Sequence, residues 1–583
     1  MPLKQRSWQV LTLYTRQLEP LLALVGLPEL ADAWRLVEYG WRKILLNQAH
    51  DSIGGAVTDP VYRDIMGRFD AAEQVGRAIL DRVLTRLAKA IDTEKVPGVA
   101  AVVAVNPRPG LASGMLTAEV EFPVGLLRDR PFPVVYDSAG RQVPVQELQV
   151  EAPEPVRVPS PTTHQRMRLL IKAEDVPGPG YRTYGVDLSP VPRPVATDLK
   201  GTKSFVENKY YRVDVARNGT FTLTDKTLGR SWAGLGLFED TEDAGDLYTW
   251  SPAPNSRTHT SADLIAGTAL LESGPVRATL EVRLRLPVPA ALADHRLGRG
   301  YLKVELPVVM RISLIAGLRR VELEIEAENV AWDHRLRVVF PTGMRSGRVL
   351  VRDLLGLLSR PAVPPAQDGW VERPGGLAPQ GGLVAVVDDR AGLGVLTEGL
   401  PEYEAVPGPD GLVLAVTLLR GVGWLARADL LTRRDTVGPP VKTPGAQCPG
   451  RHRFRLGLFT CPAETGPAVL LGEAEAFRTG LLGVVAGRWP GERPPVGTFL
   501  ELDAGGLVLS ALYLTGGGLL LRFYNPEPAD QVASLKLPAG YRRAVPADAL
   551  GRPAGPDLEP DGDGFVRLPV GAFGLKTFLL VGD

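Results

Sequence analysis

The first 95 residues of the chain carry hydrophobic positions at helical spacing. One segment has them at three- and four-residue intervals, so one face of a helix is expected to be buried: Leu30, Trp34, Val37, Trp41, Ile44 and Leu45. A further segment opens with Thr58-Asp59-Pro60, where a capping residue precedes a proline at the first helical position. Together with a helix near the N-terminus, these segments predict a three-helix bundle over residues 1–96.

After about residue 97 the hydrophobic positions recur at every second residue, which is typical of strands with one buried face. Tyr211, Val213 and Val215 alternate with polar residues before Asn218-Gly219, and this pattern predicts a tight hairpin. Proline-rich links divide the region into a small β-sandwich (97–190), a large β-sandwich (200–478) and a C-terminal β-sandwich (495–583). The predicted fold class is therefore α+β and mostly β: a three-helix bundle followed by several antiparallel β-sandwich domains.

Composition excludes several classes of partner. The 583 residues include 66 Lys and Arg and 66 Asp and Glu, so the formal net charge is zero and nothing favours a nucleic acid or an anionic membrane. No apolar run reaches the ~20 residues that a membrane-spanning helix needs, and the first residues lack the apolar core of a signal peptide. Cys448 and Cys461 are too few for a disulfide framework. We expect a cytoplasmic protein without a membrane partner.

The stretch 41–55 contains the strongest candidate for chemistry. Asn47, His50 and Asp51 are expected at the C-terminal end of the amphipathic helix, and Gly54 and Gly55 follow two residues later, so that the backbone can turn sharply and leave open space beside the imidazole. A ligand-facing residue would be presented in this way. The alternative is structural: a histidine can cap the last carbonyl groups of a helix, and Asp-Ser with glycine is ordinary turn chemistry.

The run Leu-Leu-Asn-Gln-Ala-His-Asp-Ser-Ile-Gly-Gly (45–55) resembles the middle helical domain of the glycoside hydrolase family 38 α-mannosidases. The resemblance extends through the β region over five shorter segments, in the order expected for the family: residues 204–211, 243–248, 333–337, 419–424 and 447–450. It covers nearly the whole chain. The first motif is specific, because a helix, a polar pair and two glycines stand together within about a dozen residues. The resemblance also implies that the large sandwich (200–478) is mutarotase-like.

The resemblance implies the roles of individual residues. His50 would be one ligand of a catalytic zinc ion, and Asp51 would bind the mannose. Asp246 and Tyr248 are further candidates for substrate binding, although their turn could equally be a structural loop. For Asp333, His334 and Arg335 we favour a structural role, because they lie beside a strongly alternating strand.

The same resemblance points to a part of the site that this chain does not show. Members of the family begin with a domain that carries the aspartate nucleophile, a His-x-Asp pair of zinc ligands and the acid carboxylate. None of the six histidines (50, 164, 259, 295, 334 and 452) stands in His-x-Asp, His-x-His or His-Glu-x-x-His spacing. We therefore expect no catalytic nucleophile in this chain, a zinc site whose ligands are shared with the N-terminal catalytic domain, and no useful hydrolysis by residues 1–583 alone.

Two explanations for this expectation stay open. Met1 could be an internal methionine of a longer coding sequence, since Met-Pro-Leu-Lys-Gln resembles a run within longer relatives, so that the catalytic domain is present in cis. Alternatively, that domain is a separate polypeptide that binds in trans. The substrate would be an α-mannoside glycan or a small mannosyl compound, cleaved with retention through a covalent mannosyl-aspartate, and a homo-oligomer is also compatible with the sequence.

A different class of function is the alternative: a non-catalytic carbohydrate-binding or scaffold protein, since sandwich folds host many functions. A scaffold would not need the His50-Asp51 pair, whereas an enzyme whose catalytic domain binds the bundle should expose hydrophobic side chains there. A third possibility is a decayed fragment that folds poorly, which a test of cooperative thermal unfolding would reveal.

Overall fold

A computed structural model describes residues 2–25, 32–127, 131–150, 164–364, 369–370, 372 and 375–582. Helices form the N-terminal part and antiparallel sheets the remainder, so the predicted α+β, mostly β fold class is confirmed. Within these ranges, none of the helices combines the length and the apolar character that crossing a bilayer requires.

The N-terminal helices are α1 (Pro2–Thr12), a π-helical segment (Leu13–Leu18), α2 (Glu19–Val25), α3 (Ala33–Leu46), α4 (His50–Gly54) and α5 (Asp59–Ala90). Helix α5 begins at Asp59, directly after Thr58 as predicted, but Pro60 takes its second position and not the predicted first. Proline is accepted there because the N–H groups of the first turn have no partner within the helix. Thr58 occupies the N-cap position without a side-chain hydrogen bond to the described residues. Helix α3 buries Val37 and Ile44. Leu45 is 61% exposed, so the prediction that it belongs to the buried face is wrong, and Leu30 lies outside the described residues.

A buried carboxyl group couples the stability of the bundle to pH. Glu19 accepts a hydrogen bond from Trp41 Nε1 at 2.7 Å. Burial raises the pKa of this carboxyl group to about 7, although the Trp41 hydrogen bond and the charge of Arg16 lower it. Since the folded state keeps its proton between pH 4.5 and 7 while the unfolded chain loses it, stability falls as the pH rises through this window.

We therefore expect Glu19→Gln, which keeps an acceptor for Trp41, to be more stable than the wild type at pH 8 by up to about 3 kcal/mol. The difference should disappear near pH 5, where the wild-type carboxyl group is protonated in the folded state. Urea unfolding of both proteins at the two pH values measures it. Glu38→Gln, on the exposed face of α3, is the matched control, and equal gains from the two variants would contradict the assignment.

Seven strands and one short helix follow the bundle: β1 (Ala100–Asn106), β2 (Ala112–Pro123), α6 (Val124–Leu127), β3 (Phe132–Tyr136), β4 (Gln142–Val143), β5 (Val145–Val150), β6 (His164–Val176) and β7 (Gly180–Ser189). Strands β2, β6 and β5 form one sheet, and β1, β7, β3 and β4 belong to another. Strand β1 is buried on both faces. Alternate residues of it share a core with the helices (Ala101, Val103 and Val105), whereas Val102 and Ala104 pack against the partner sheet.

The large sandwich contains β8 (Lys200–Gly201), β9 (Phe205–Glu207), β10 (Tyr211–Val215), β11 (Phe221–Asp225), β12 (Arg230–Leu235), β13 (Leu237–Glu242), β14 (His259–Thr260), β15 (Gly267–Ser273), β16 (Arg277–Pro289), β17 (Lys303–Ile315), β18 (Val321–Asn329), β19 (His334–Pro341), β20 (Arg348–Asp353), β21 (Gly356–Pro361), β22 (Leu377–Pro379), β23 (Leu383–Val387), β24 (Ala391–Thr397), β25 (Glu402–Gly408), β26 (Gly411–Gly421) and β27 (Gly450–Pro462). The predicted hairpin is confirmed, because β10 pairs with β11 and Val215 lies opposite Phe221.

Two large sheets of this sandwich enclose the main core. One has nine strands in the order β15-β16-β17-β18-β27-β24-β23-β20-β21, and the other has six in the order β14-β13-β19-β26-β25-β22. We call the six-stranded sheet the site sheet. In β19 the side chains of Leu336, Val338 and Phe340 enter the core, whereas Arg335 and Arg337 point to the other face, because neighbouring side chains of a strand alternate.

The last elements are α7 (Pro467–Thr479), β28 (Leu482–Ala486), β29 (Val496–Thr498), β30 (Leu502–Asp503), β31 (Val508–Thr515), β32 (Gly518–Tyr524), β33 (Gln531–Lys536), β34 (Arg543–Ala547), β35 (Phe565–Val570) and β36 (Leu575–Val581). Strands β31, β32, β36 and β34 form one sheet of the C-terminal sandwich, and β30, β33 and β35 form the other. Strand β28 pairs with β1 and β29 with β7, so residues after 478 complete the small sheet next to the bundle.

Candidate functional site

His50 begins a helix of its own. The structure ends α3 at Leu46, and α4 starts at His50 after Ala49 has taken an extended conformation. The prediction that His50 and Asp51 lie at the C-terminal end of α3 is therefore wrong. The physical reason lies in Asn47, which is fully buried and donates Nδ2 to the Ile65 carbonyl oxygen at 2.9 Å, so the chain turns towards α5.

The short helix presents both predicted residues to solvent. The side chains of His50 and Asp51 are 96% and 56% exposed, and His50 Nε2 lies 3.7 Å from Asp51 Oδ2. A Cβ placed on Gly54 or Gly55 would meet nothing within 4 Å, and Gly55 has φ +87°, which favours glycine. The predicted open space beside the imidazole is therefore confirmed.

A cavity of ≈ 290 Å³ lies between the bundle and the large sandwich, and we call it the junction pocket. Gly54 and Gly55, one helical turn after His50, form part of its wall. The bundle also contributes residues at the start of α1 and α5, and the sandwich contributes those around the site sheet: Lys4, Asp59, Tyr62, Tyr248, Glu402, Arg420 and Cys448. Asp59 Oδ2 accepts the Gly445 N–H at 2.9 Å, so that the two walls are joined by a direct hydrogen bond.

Asp246 shapes the loop that carries Tyr248. Its carboxylate is fully buried, and Oδ1 accepts the N–H groups of Tyr248 and Thr249 at 3.0 and 2.9 Å. Oδ2 accepts the Arg427 N–H at 2.9 Å and Arg433 Nη2 at 2.5 Å. Because four protein donors surround a carboxylate that has no exposed surface, the structure gives Asp246 a positioning role, and its contact with a sugar stays a prediction.

Tyr248 connects the two walls electrostatically. Its side chain lies in the junction pocket and the residue is 40% exposed. Burial raises the pKa of the phenol, and the carboxylates of Asp51 and Asp246 raise it further. The tertiary structure thus brings the predicted residue Asp51 within electrostatic range of Tyr248, although the two are nearly two hundred positions apart in the sequence.

Arg420 and Glu402 lie where the site sheet meets the pocket, and sequence reasoning gave neither of them a role. Arg420 Nε donates to Asp243 Oδ2 at 2.6 Å and Nη2 donates to the Asp246 carbonyl oxygen at 2.9 Å. Burial raises the pKa of Asp243 although Arg420 opposes this shift. Glu402 accepts Thr417 Oγ1 at 2.6 Å. Arg420 could have been found from its place in the family-like segment 419–424, whereas Glu402 follows no motif.

A second cavity of ≈ 590 Å³ continues from the first, since Tyr248, Glu402 and Arg420 border both. Its other walls include Trp250 and Trp370. Aromatic rings present apolar faces, while the guanidinium, carboxylate and hydroxyl groups of the shared border donate and accept hydrogen bonds. The combined groove suits a polyhydroxylated ligand, whose C–H and O–H groups need both kinds of surface.

The segment at Asp333 is structural, as favoured from the sequence. His334 is fully buried, with Nδ1 2.5 Å from Asp240 Oδ2 and Nε2 2.9 Å from Asn329 Oδ1, so neither ring nitrogen is available to a ligand. Arg335 is 2% exposed and lies 4.0 Å from the centre of the Trp250 ring. Its contact supports the indole that lines the groove.

A catalytic zinc ion is typically bound by three protein ligands, most often histidine, cysteine or carboxylate side chains. Within the described part of the chain, no three His, Cys, Asp or Glu side chains are grouped closely enough to hold a metal. His50 nevertheless fits as one ligand, because its imidazole is 96% exposed and makes no close hydrogen bond with the described residues. His50 is thus a candidate for one ligand of a metal, and this role stays a prediction.

Comparison with solved structures defines the class of fold. The chain matches a glycosyl hydrolase family 38 protein from Enterococcus faecalis with a TM-score of 0.85 and 23% identity, over 99% of this chain and 70% of that protein. It matches an α-mannosidase from Enterococcus faecalis with a TM-score of 0.83 and 24% identity, over 99% of this chain and 67% of that one. The chain therefore has the fold of the family 38 glycoside hydrolases over the part of them that it spans, and the predicted resemblance is confirmed.

A curated relative agrees with this result. A putative mannosylglycerate hydrolase from Halalkalibacterium halodurans is 26% identical over 579 residues, which cover 90% of this chain and 61% of the relative. The chain thus spans about three fifths of the length of this relative. No protein-family model matches the chain.

Proposed function

We propose that this chain is part of a retaining, zinc-dependent α-mannosidase, to which it contributes one zinc ligand and the sugar contacts of the active site. The observation that carries the proposal is the exposed His50-Asp51 pair one helical turn before the two glycines that line the junction pocket, with Asp51 within electrostatic range of Tyr248, which lines the same pocket. A purely structural turn would not need an exposed imidazole beside a cavity that two separate parts of the chain enclose.

Each residue has a role that its environment supports. The exposed His50 would give an imidazole nitrogen to zinc, which when bound polarises sugar oxygens as a Lewis acid. Asp51 would accept sugar hydroxyl groups in charge-assisted hydrogen bonds. The phenol of Tyr248 would hydrogen-bond the sugar from the wall that the large sandwich contributes. Asp246 would act through Tyr248, whose backbone it holds.

The remaining groups of the reaction would come from a catalytic domain, joined in cis or bound in trans. Retaining cleavage needs two carboxyl groups ~5 Å apart, one as nucleophile and one as acid and base. The outer surface of α3 supports such a contact, because four large hydrophobic side chains there are 44–61% exposed: Leu36, Tyr39, Leu45 and Leu46. Clustered exposed hydrophobic residues mark interaction surfaces. This surface favours an enzyme assembly over the alternative of an independent carbohydrate-binding or scaffold protein.

The substrate we propose is an α-mannoside. The named activity of the Halalkalibacterium halodurans relative favours a small mannosyl compound, and the second cavity has room for an aglycone or a further sugar beyond the junction pocket. Trp250 and Trp370 would pack against that part of the substrate.

Activity assays of two proteins test the proposal. One is the purified 583-residue chain, and the other is the same chain with its catalytic domain, obtained by expressing the longest reading frame through residue 583 or by adding the separate polypeptide. With zinc and an α-mannoside, the assembly should turn over and the chain alone should not. Robust turnover by the chain alone would contradict the shared site, and glycan binding without turnover by either protein would support the carbohydrate-binding alternative.

A further inference from the structure

A further cavity lies where α7 meets the N-terminal helices, the β1–β2 loop and the C-terminal sandwich. Its lining residues are distinct from those of the junction pocket. The cavity measures ≈ 160 Å³, and three charged residues line it: Arg16, Arg108 and Glu475. We call it the arginine pocket. Its remaining walls are mostly small or apolar residues of β31 and α7.

The pocket contains more positive than negative charge. Arg16 Nε pairs with Glu475 Oε2 at 2.8 Å, the Arg352 guanidinium pairs with Glu475 Oε1, and Arg478 Nη1 lies 4.0 Å from Oε1. Arg108 interacts with the same carboxylate electrostatically. Four guanidinium groups thus interact with the Glu475 carboxylate. Two further carboxyl groups act on the cluster: Glu473, which lies 3.7 Å from Arg320, and the largely buried Glu19, which interacts electrostatically with Arg16.

Several donors in this cluster also lack acceptors. Arg108 Nε and Arg352 Nη1 are buried without a hydrogen-bond partner in the part of the chain that the structure describes, and so is the Tyr524 hydroxyl group. Burial lowers the pKa of Arg108, and burial with two neighbouring arginines lowers that of Arg478 to about 9. A buried guanidinium group with unmet donors costs free energy, and water can satisfy the hydrogen bonds but not the charge.

The backbone around the pocket is shaped so that the arginines converge. Arg16 belongs to the π-helical segment Leu13–Leu18, a geometry that is rare and is often found at functional sites. Its Nη1 donates to the Ser510 carbonyl oxygen at 2.7 Å, which fixes the guanidinium group against β31. The loop that carries Arg108 is held by Asn106, whose Oδ1 accepts the Arg108 N–H at 3.1 Å and whose Nδ2 donates to the Gly110 carbonyl oxygen at 2.9 Å.

We propose that the arginine pocket binds a small tetrahedral oxyanion, phosphate or sulfate, between Arg16 and Arg108. Such an ion supplies the missing negative charge and several acceptors at once, which matches guanidinium donors well. The cavity far exceeds the roughly 10–15 Å³ that one water needs, so an ion of five heavy atoms can enter. Because four parts of the chain meet here, the bound ion would also hold them together.

Calorimetric titration of the purified 583-residue chain tests this site without reference to enzymatic activity. Sodium phosphate and sodium sulfate are titrated separately, with sodium chloride at equal ionic strength as the reference. We expect saturable binding of one oxyanion per chain and a rise in Tm that chloride does not reproduce. Failure of both oxyanions to bind above the chloride reference would overturn the proposal.

Arg108→Gln is the informative variant, because it removes one pocket arginine without leaving Glu475 unpaired. Phosphate binding should weaken at least about tenfold, since a charge-assisted hydrogen bond is lost. Without phosphate, the variant should be no less stable than the wild type, because it removes a buried guanidinium group whose Nε has no acceptor among the described residues. Arg35→Gln, whose side chain is 87% exposed on α3, is the matched control and should bind as the wild type does. Unchanged binding by Arg108→Gln would place any bound ion elsewhere.

A chemical measurement covers the case in which Arg108→Gln does not fold. Wild-type protein is treated with phenylglyoxal, which modifies arginine, with and without phosphate, and the modified residues are identified by mass spectrometry. Phosphate should protect Arg108 and Arg16 but leave the exposed Arg35 reactive. Equal modification of Arg108 in both samples would contradict the proposed site.

Discussion

Replacing His50 by alanine is expected to reduce kcat/KM of the proposed mannosidase assembly at least about 100-fold, which is the upper cost of losing even an indirect partner of a catalytic metal. The imidazole is 96% exposed and lies 3.7 Å from the Asp51 carboxylate, so its removal should leave the fold unchanged. The measurement is hydrolysis of an α-mannoside by the chain together with its catalytic domain, with the zinc content determined in the same samples. Zinc should be lost or weakly held in the variant.

His295→Ala is the matched control for this variant, because it removes another exposed histidine whose Nδ1 only accepts the Leu297 N–H. It should retain both activity and zinc. Should His50→Ala keep wild-type activity and zinc content with an unchanged Tm, His50 would not be a ligand and the structural interpretation of the His50-Asp51 turn would hold.

Asp246→Ala is expected to destabilise the chain by about 3–5 kcal/mol, the range found when one partner of a buried ion pair is removed. The substitution leaves Arg433 buried without its carboxylate and removes the acceptor for the N–H groups of Tyr248 and Thr249. Urea unfolding of wild type and variant measures the loss. Binding of mannosides should also weaken, since Tyr248 loses the support of its loop.

Two comparisons separate this positioning role from a direct sugar contact. Asp263→Ala, at an exposed site of the same sandwich, should change stability by less than about 0.5 kcal/mol. Asp246→Asn keeps the shape of the side chain but loses its charge and one acceptor, so it should be intermediate. Weakened mannoside binding by Asp246→Ala at unchanged stability would show that Asp246 contacts the sugar directly.

The two groups of candidate residues differ in how they depend on the rest of the chain. The position of His50 depends on local structure: α4, two glycines and the buried Asn47. The Tyr248 side depends on charges from distant strands, because Arg420 holds Asp243 and Arg433 holds Asp246. Substitutions on the His50 side should therefore change the chemistry of the site with little effect on stability, whereas those on the Tyr248 side should change both.

The sequence by itself determined the fold class and the most exposed part of the candidate site. Helical and alternating spacing are local properties, so the start of α5 at Thr58-Asp59-Pro60 and the hairpin of β10 and β11 could be predicted from short segments. The motif at His50 could be found for the same reason, since the helix, the polar pair and the glycines are neighbours along the chain.

Only the tertiary structure decided which side chains are buried and which meet. Leu45 has a hydrophobic side chain at helical spacing, but no described neighbouring element covers it. Asp246 resembles a free ligand in the sequence, but in the fold its carboxylate accepts hydrogen bonds from Arg427 and Arg433. The return of β28 to β1 and the meeting of Arg16, Arg108 and Glu475 depend on contacts across hundreds of residues. Such contacts arise from packing and charge compensation in the whole fold, which local patterns do not encode.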